Sequence, residues 1–310
     1  MPDTAPQPPV TAVVVTYQSA ATIERSLGAL RRCQAAGLVE TVVVDNDSRD
    51  ATLERLREHS DWARIRVTGV NNGFGRGCNI GAAEATRPFT LFVNPDAVVE
   101  PDAVRAMLEF MERHPDAGIV GPAIIEGEAL DGTGELQMTG DRPTPASLLR
   151  DALPLLPRVK RMRPIPPGAE AFTTGWVCGA VLMIRTDLLR RLGGFDPRFF
   201  LYWEEIDLCR RAEATGSGVW ALGKAVTRHV GGASSAPDDT RIGGCIARFY
   251  LQSRYYYMTK HHGRLAASAA ELGEFVLLCL RALADLARGR GLRRLRSRLQ
   301  APLFSAPEKV

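Results

Sequence analysis

Short apolar runs and helical patterns alternate along the first 121 residues. Residues 10–17 form a continuous, mostly β-branched run, which is typical of a strand buried on both faces. Further runs at 41–44, 65–68, 89–93 and 117–121 predict four more strands. Strands that alternate with helices at this spacing predict an α/β fold, with a mostly parallel, doubly wound central sheet and helices on both faces.

Polar residues follow four of these predicted strands at the point where each strand ends. They are Thr16 and Tyr17, Asp45 to Asp47, Asn71 and Asn72, and Asn94 with Asp96. Each set alone is typical of a turn. In such sheets, however, ligands bind at the carboxyl ends of the strands, so four polar sets on one edge predict a binding crevice.

The glycine-rich segment 71–81 does not match a dinucleotide fingerprint. Gly73, Gly75 and Gly77 give G-x-G-x-G, but Cys78 stands where the third glycine of G-x-G-x-x-G belongs. The segment also follows the third predicted strand instead of the first, which argues against a nicotinamide or flavin site. A phosphate loop of the G-x-x-x-x-G-K-[ST] type is absent from the sequence.

The pattern changes after residue 126. Residues 126–171 hold seven prolines and predict a long loop insertion, which in a compact domain is usually functional or disordered. Strand character returns at 176–185, and short strands are predicted at 219–222 and 225–230. Helices are predicted at 240–262 and 265–286.

An aromatic-rich segment, 195–203, runs directly into Glu204, Glu205 and Asp207. A helix pattern follows, so the three carboxylates lie on its first turn. Acidic residues favour the positive end of a helix dipole, which is a purely structural reason for one of them. It does not explain the apolar aromatic wall before them, and we therefore predict a substrate site here.

Composition and charge exclude several classes of protein. The chain has 310 residues, of which 45% are hydrophobic and 24% charged, so it is neither disordered nor collagen-like. The net charge of +4 is mild, and we expect no nucleic-acid partner. Six cysteines show no Cys-x-x-Cys pair, and no signal peptide is evident, so we expect free thiols in the cytoplasm.

The C-terminal region predicts an amphipathic helix followed by six arginines between residues 288 and 298. Its apolar stripe is formed by Leu265, Leu272, Val276, Cys279, Leu280 and Leu283. Such a stripe is typical of packing onto the domain or onto a second copy in a homodimer. The alternative is peripheral contact with the inner face of a membrane, reinforced by the arginines. The apolar run at 275–280 is too short to span a bilayer.

Six motifs, in order, resemble glycosyltransferase family 2, the inverting transferases of the GT-A fold, and within it the rhamnosyltransferase-like branch. They are VVVTY at 13–17, VVDNDS at 43–48, NNGFGRGCNIG at 71–81, LFVNPD at 91–96, CGAVLMIR at 178–185 and GGFDPRFFLYWEEIDLCRR at 193–211. The resemblance covers roughly residues 10–260 of the chain. It implies a GT-A domain at 10–260. The polar, proline-rich residues 1–9 predict a disordered tail before the domain, and residues 261–310 are the helical, basic extension after it. Within the domain, 10–121 would bind the nucleotide sugar and 172–260 the acceptor.

The resemblance also implies roles for single residues. Those expected to contact the nucleotide sugar are Thr16, Tyr17, Asp45, Asp47, Asn72, Arg76 and Asn94. Asp96 and His229 would bind a divalent metal, Mg²⁺ or Mn²⁺, although a lone histidine after a strand is more often structural. Glu205 matches the catalytic base and Glu204 its acidic neighbour. The acceptor would lie against Trp176, Tyr202 and Trp203.

This chain departs from the family pattern at two positions. Asn94 replaces the first acid of the family's D-x-D motif, and Glu205 stands where many members have aspartate. The implied activity is transfer of a sugar from a dTDP- or UDP-sugar, with L-rhamnose from dTDP-rhamnose favoured. The acceptor would be a saccharide or a lipid-linked saccharide in cell-surface polysaccharide synthesis.

Two other functions stay open at this point. One is a non-catalytic nucleotide-sugar-binding protein, against which the acids at 96, 204 and 205 argue. The other is a sugar-phosphate nucleotidylyltransferase, a class with a basic, glycine-rich loop after the first strand. Here the residues after that strand are Gln18, Ser19, Ala20 and Ala21.

Overall fold

A mixed β-sheet forms the centre of the computed structural model, which describes residues 7–127, 134–153, 162–230, 245–287 and 292–307. The strands are β1 (Val10–Thr16), β2 (Val39–Asp45), β3 (Ala63–Val67), β4 (Phe89–Val93), β5 (Ala97–Val98), β6 (Ala117–Glu126), β7 (Glu135–Leu136), β8 (Met138–Gly140), β9 (Met162–Pro164), β10 (Phe172–Thr173), β11 (Val181–Arg185) and β12 (Gly218–His229). The helices are α1 (Ile23–Ala35), α2 (Thr52–Arg57), α3 (Phe74–Ala82), α4 (Pro101–Arg113), α5 (Pro145–Ala152), α6 (Thr186–Arg191), α7 (Glu204–Ala214), α8 (Cys245–His262), α9 (Arg264–Ala287) and α10 (Arg293–Arg298).

The order of the sheet is β10-β12-β6-β11-β4-β1-β2-β3, with β5 on β12 and β7 on β6. The strands β4, β1, β2 and β3 are parallel, as the alternating pattern predicts. β11 is inserted antiparallel between β4 and β6. It therefore starts at the edge where β4 ends, and this brings the turn before β11 to the predicted binding crevice.

Helices cover both faces of the sheet, which confirms the predicted α/β class. On one face, Val10, Ala12 and Val14 of β1 pack with α1 and α4. On the other face, Val13 and Val15 pack with α3, α6 and α7. Alternate side chains of one strand thus enter two cores, which is why its sequence is continuously apolar.

Three segments differ from the predicted elements. The strand predicted at 176–185 is regular over β11 alone, because residues 179 and 180 form a turn. The strands predicted at 219–222 and 225–230 are one strand, β12, with an irregularity between Leu222 and Val226. The described part of the 126–171 insertion contains β7, β8, β9 and α5. The N-terminus of α5 is stabilised by a capping box between Thr144 and Ser147.

The C-terminal region is helical, as predicted. Gly263 separates α8 from α9 with φ of +83°, a conformation that favours glycine. α9 packs against α8 and α5. Residues 1–6 of the predicted disordered tail, 1–9, lie outside the described residues. Arg288 and Arg290 of the basic C-terminal segment lie outside them as well. Across the described ranges, every helix is too short or too polar to span a membrane.

Candidate active site

Thr16 and Asp45 are paired neighbours at the carboxyl ends of β1 and β2. The Thr16 hydroxyl donates to Asp45 Oδ1 over 2.8 Å, and both residues are completely buried. Ser48 adds two more bonds, from its hydroxyl to Oδ1 at 2.6 Å and from its backbone N–H to Oδ2 at 3.0 Å. The Asp45 carboxylate is thus held in one orientation at the floor of the crevice.

The residues around this pair form an open edge. Tyr17 is 47% exposed, so its ring is available for stacking. Asp47 lies in the left-handed region with φ of 65°, which aspartate tolerates in a tight loop. Asn46 donates from Nδ2 to the Gly73 carbonyl over 2.9 Å, and this bond joins the Asp45–Ser48 loop to the glycine segment.

The glycines of segment 71–81 serve close packing. A Cβ on Gly77 would lie 2.6 Å from Val15 of β1, and one on Gly73 would lie 2.2 Å from the Phe200 carbonyl oxygen. The Phe74 N–H donates to that same carbonyl over 2.9 Å. The segment is therefore pressed against both the sheet and the loop before α7.

Asn72 and Arg76 lie on this segment and are both held by backbone oxygens. Asn72 Nδ2 donates to the Val70 carbonyl over 3.0 Å, and Arg76 Nε donates to the Pro197 carbonyl over 2.8 Å. Asn79, which sequence reasoning missed, makes two hydrogen bonds with Phe195. Asn79 Nδ2 donates to the Phe195 carbonyl, and the Phe195 N–H donates to Asn79 Oδ1, each over 2.8 Å.

Asp96 and His229 meet where β4 and β12 end. His229 Nε2 lies 2.9 Å from Asp96 Oδ1 and 3.5 Å from Asn94 Nδ2. On the other side of the ring, Nδ1 lies 3.4 Å from Glu126 Oε1, which also accepts a 2.9 Å bond from Gln137. Burial alone would lower the pKa of His229, but the hydrogen bonds to Asp96 and Glu126 raise it to about 9. A divalent metal bound to Nε2 would displace the proton that this nitrogen shares with Asp96, because a histidine ligand is neutral.

This pair has the chemistry of a partial metal site. Two ligands of one Mg²⁺ or Mn²⁺ ion, each about 2.1 Å from it, lie roughly 3 Å apart in octahedral geometry, close to the separation seen here. Glu126 would orient the imidazole from behind, as outer-shell carboxylates do. Within the described ranges, no group of three or more His, Cys, Asp or Glu is placed to hold a metal. Asp96 and His229 therefore fit a divalent ion that takes its other ligands from a substrate and water.

Glu204 and Glu205, the first two carboxylates of the acidic stretch, lie at the start of α7. Tyr202 and Trp203 precede it in the left-handed region, with φ of 67° and 72°. Glu204 is 4% exposed and lies 3.6 Å from the Cβ position of Gly75. Glu205 lies beside a different glycine, since a Cβ on Gly179 would come within 3.4 Å of its side chain. In the described part of the chain, neither buried Oε2 atom has a hydrogen-bond partner.

Burial changes the acidity of both groups. It raises the pKa of Glu205 to about 7, against backbone hydrogen bonds that lower it. Burial, together with the charge of Glu205, raises the pKa of Glu204 well above its usual range. A carboxylate with a pKa near neutrality is suited to accept a proton from a substrate at physiological pH.

The turn before β11 lies between Glu205 and the Asn94–Asp96 turn. The backbone N–H of Asn94 donates to the Ala180 carbonyl over 2.8 Å. Gly179, next to Ala180, is the residue against which Glu205 packs. The antiparallel β11 therefore places the predicted base and the Asn94–Asp96 turn on either side of one short loop.

The predicted acceptor residues differ in how they are exposed. Trp203 is 5% exposed, and its ring packs 5.2 Å from Tyr257 and 5.8 Å from Tyr250. It is thus a wall behind the carboxylates and not an open stacking platform. Tyr202 contacts Tyr250 at 5.9 Å and is partly exposed, as is Trp176, which packs between two apolar clusters.

Asp207, the third acid of the stretch, has a structural role that sequence reasoning missed. It is completely buried and lies 2.7 Å from each of Arg211, Lys260 and His261. Burial would raise its pKa, but these three partners hold the pKa at about 2. Asp207 therefore fixes α7 to α8.

A polar cavity of about 650 Å³ lies beside α7. Its lining residues are polar or glycine: Asp141, Arg142, Thr144, Thr173, Thr174, Gly175, Arg210, Glu213 and His262. Arg210 and Glu213 come from α7 itself, and Gly175 directly precedes the segment that leads to Gly179. Hydroxyl, carboxylate and guanidinium groups of this kind can hydrogen-bond to a saccharide.

Comparison with known proteins identifies the family. The family model "Glycosyl transferase family 2" matches residues 11–179, more than half of the chain. The N-acetylglucosaminyl-diphospho-decaprenol L-rhamnosyltransferase of Mycobacterium tuberculosis is 29% identical over 225 residues, covering 66% of this chain and 70% of the relative. The low-salt glycan biosynthesis hexosyltransferase Agl10 of Haloferax volcanii is 27% identical, covering 64% and 60%.

Solved structures show the same fold. The mannosyltransferase PcManGT from Pyrobaculum calidifontis, in complex with GDP-Man and Mn²⁺, has a TM-score of 0.56 at 17% identity and covers 91% of this chain and 79% of that one. Residues 1–349 of TarS from S. aureus have a TM-score of 0.53 at 15% identity, with coverages of 93% and 89%. These are GT-A glycosyltransferases, and the chain belongs to glycosyl transferase family 2 as a rhamnosyltransferase-like glycosyltransferase.

Proposed function

We propose that this glycosyltransferase moves a sugar from a nucleotide diphosphate donor to an acceptor hydroxyl by single displacement, with inversion. The carrying observation is the Glu204–Glu205 pair at the start of α7: Glu204 is buried, Glu205 is partly exposed, and neither Oε2 atom has a hydrogen-bond partner within the described residues. Desolvation of its carboxylate raises the pKa of Glu205 to about 7. Glu205 accepts the proton of the acceptor hydroxyl while the oxygen of that hydroxyl attacks the anomeric carbon of the donor sugar. The bond to the diphosphate breaks, and the nucleotide diphosphate leaves with the bonding electrons. Attack opposite the leaving group inverts the anomeric centre.

Asp96 and His229 would hold Mg²⁺ or Mn²⁺ beside the donor diphosphate. When bound, the ion would neutralise the negative charge that develops on the oxygens of the leaving diphosphate. The 2.9 Å separation of Asp96 Oδ1 and His229 Nε2 supports this assignment. The structural relative from Pyrobaculum calidifontis carries Mn²⁺ together with its donor, which is consistent with it.

The nucleotide would lie over the ends of β1 and β2. Thr16, Tyr17, Asp45 and Asp47 would contact the base and ribose, with Asn72, Arg76 and Asn94 nearer the diphosphate and sugar. We propose dTDP-rhamnose as the donor, with UDP-sugars next. The relatives from Mycobacterium tuberculosis and Escherichia coli, both rhamnosyltransferases by name, support rhamnose as the sugar.

The acceptor would be a saccharide, lipid-linked in the preferred case, in the synthesis of a cell-surface polysaccharide. A lipid-linked acceptor is named for the Mycobacterium tuberculosis relative. The cavity beside α7 offers groups that would bind acceptor sugars, and Gly175 in its lining directly precedes Trp176. Such an acceptor favours a cytoplasmic protein that is peripheral on the inner face of the membrane, as a monomer or a homodimer.

A donor panel tests this function. The protein is mixed with dTDP-rhamnose, UDP-glucose, UDP-N-acetylglucosamine or GDP-mannose, with and without Mn²⁺, and with a short-chain prenyl-diphosphate-linked N-acetylglucosamine. We expect release of dTDP that requires both metal and acceptor, with a product of inverted anomeric configuration. Release of a nucleotide diphosphate from another donor instead would contradict dTDP-rhamnose as the donor. A product of retained anomeric configuration would overturn the single-displacement mechanism.

A further inference from the structure

The face of α9 that packs onto the protein is its polar and small-residue face. Ala267, Ala270, Glu271 and Ala282 are buried there. Glu271 Oε2 lies 3.2 Å from Arg254, and its other oxygen contacts Arg298 of α10. Because these charges are nearly completely buried and paired, the ion-pair network orients α9 about its own axis.

The apolar stripe of α9 consequently points outward. Its exposed side chains are Leu265 (89%), Leu272 (49%), Val276 (47%), Leu280 (57%), Leu283 (65%) and Leu286 (55%). At 100° per residue they fall within an arc of roughly 120°, opposite the buried face. A row of leucines along 24 residues is an exposed patch of the kind that marks an interaction surface.

The charges around the stripe indicate what covers it. Six arginines lie between residues 288 and 298, and the sequence has no acidic residue from 286 to 307. One of the six, Arg298, is paired internally with Glu271. The acids Glu271 and Glu274 lie on the inner side of α9, where both contact Arg254. The outer face of α9 is therefore apolar, and the sequence that follows the helix is basic.

A second copy of the chain fits this surface poorly. If two α9 helices paired in parallel, their arginine-rich segments would lie side by side. If they paired antiparallel, each arginine-rich segment would approach Arg264, the exposed first residue of the other helix. Both arrangements bring like charges together, whereas an anionic surface neutralises both ends.

We propose that α9 is an interfacial anchor that lies flat on an anionic bilayer. The leucine stripe enters the boundary between headgroups and acyl chains, and the exposed Arg264 and Arg296, at the start of α9 and in α10, bind lipid phosphates. This membrane-docking face is distinct from the sugar-transfer site, and its existence does not depend on the identity of the donor or acceptor. It would hold the enzyme where a lipid-linked acceptor is found.

Vesicle flotation tests the proposal with the full-length protein. Vesicles of phosphatidylcholine alone are compared with vesicles containing about 30% phosphatidylglycerol, at low and high salt. We expect binding to the anionic vesicles that weakens with salt. The double variant Leu272→Asp with Leu283→Asp should lose about tenfold or more of this binding, because charges would have to enter the apolar boundary.

The matched control is Ala266→Asp with Ala284→Asp, which adds the same charge at exposed positions of the same helix outside the stripe. It should retain most of the binding, and both variants should keep their melting temperatures. Failure of the wild-type protein to bind anionic vesicles, or equal loss in both variants, would overturn the proposal. So would a wild-type dimer in sedimentation that the leucine variant dissociates without any vesicle binding. Nucleotide binding, measured separately, reports on the transfer site alone.

Discussion

Lys260 places its ammonium nitrogen 2.7 Å from Oδ1 of the fully buried Asp207. The same nitrogen lies 2.6 Å from Asp196 Oδ2, in the loop that precedes Glu204 and Glu205. Tyr256 donates to that oxygen as well, over 2.9 Å. One face of α8 thus holds both the loop and α7 in place, and α8 belongs to the scaffold of the site.

We predict that Asp207→Asn destabilises the protein strongly. The change removes the negative charge that Arg211, Lys260 and His261 share, and breaking a buried pair costs about 3–5 kcal/mol. Because the pKa of Asp207 is lowered to about 2, the wild-type advantage is full above the ordinary aspartate pKa and declines as pH falls toward 2. Urea unfolding at pH 7 and pH 3 measures it.

The control for this prediction is Asp187→Asn, which removes a carboxylate that pairs with Arg191 on the surface of α6. An exposed pair of this type contributes about 0.5 kcal/mol or less. Equal effects of the two substitutions would contradict the assignment of Asp207 as the link between α7 and α8.

Glu205→Gln should abolish transfer and leave donor binding intact. The amide cannot accept the proton of the acceptor hydroxyl, and loss of a positioned base typically costs about 10²–10⁴-fold in rate. Steady-state transfer and the thermal shift with dTDP and Mn²⁺ separate the two effects. Glu112→Gln, at an exposed position of α4, is the control. Turnover near the wild-type rate would rule out Glu205 as the base.

The rate of transfer should rise with pH through about 7. Glu205 must be deprotonated to act as a base, and burial raises its pKa to that value. The acid limb of kcat/KM against pH reports this group in the free enzyme. A limb near the ordinary glutamate pKa, about 4.3, would show that the carboxylate is solvated and that burial does not tune it.

Glu204→Gln should stabilise the folded protein at alkaline pH. Burial raises the pKa of Glu204, so the folded state binds a proton that the unfolded chain releases near pH 4.3. Wild-type stability therefore falls as pH rises above that value, until the folded-state pKa is reached. Melting temperatures at pH 5 and pH 8.5 should differ less in the variant. An unchanged pH dependence would contradict the raised pKa.

Asp96→Ala should weaken the metal-dependent part of nucleotide binding. The substitution removes the oxygen that faces His229 across 2.9 Å. We expect the melting-temperature increase from dTDP with Mn²⁺ to shrink toward that from dTDP alone, since ligand binding to the folded state shifts melting by mass action. Asp102→Ala, at the exposed start of α4, is the control. Full retention of the Mn²⁺ effect would remove Asp96 from the metal site.

Local patterns in the sequence predict much of this fold. β-branched runs mark β1 and β2, and the polar residues after them, such as Thr16 and Asp45, do converge at one edge. The direction of β11 could not be predicted in this way, because a parallel strand and an antiparallel strand can have the same apolar sequence pattern. Its orientation depends on where the chain re-enters the sheet after the insertion.

Partners distant in sequence account for what the patterns did not predict. Glu126 is a single acid at the end of an apolar strand, and its contact with His229 exists only after β6 and β12 pair. Periodicity showed that α9 is amphipathic, but the apolar face is outward because Arg254 draws Glu271 inward. Trp203 reads as a platform in sequence, and packing against Tyr250 and Tyr257 buries it instead.

The contact between Asp96 and His229 has a consequence for the order of folding. Thr16 and Asp45 are 29 residues apart and can meet once two neighbouring strands have formed. His229 meets Glu126 across 103 residues and Asn94 across 135, so loop-closure entropy delays these contacts. A chain emerging from the ribosome would complete the edge where we propose that the nucleotide binds well before His229 could meet Asp96. The proposed metal site would therefore form only in the finished fold.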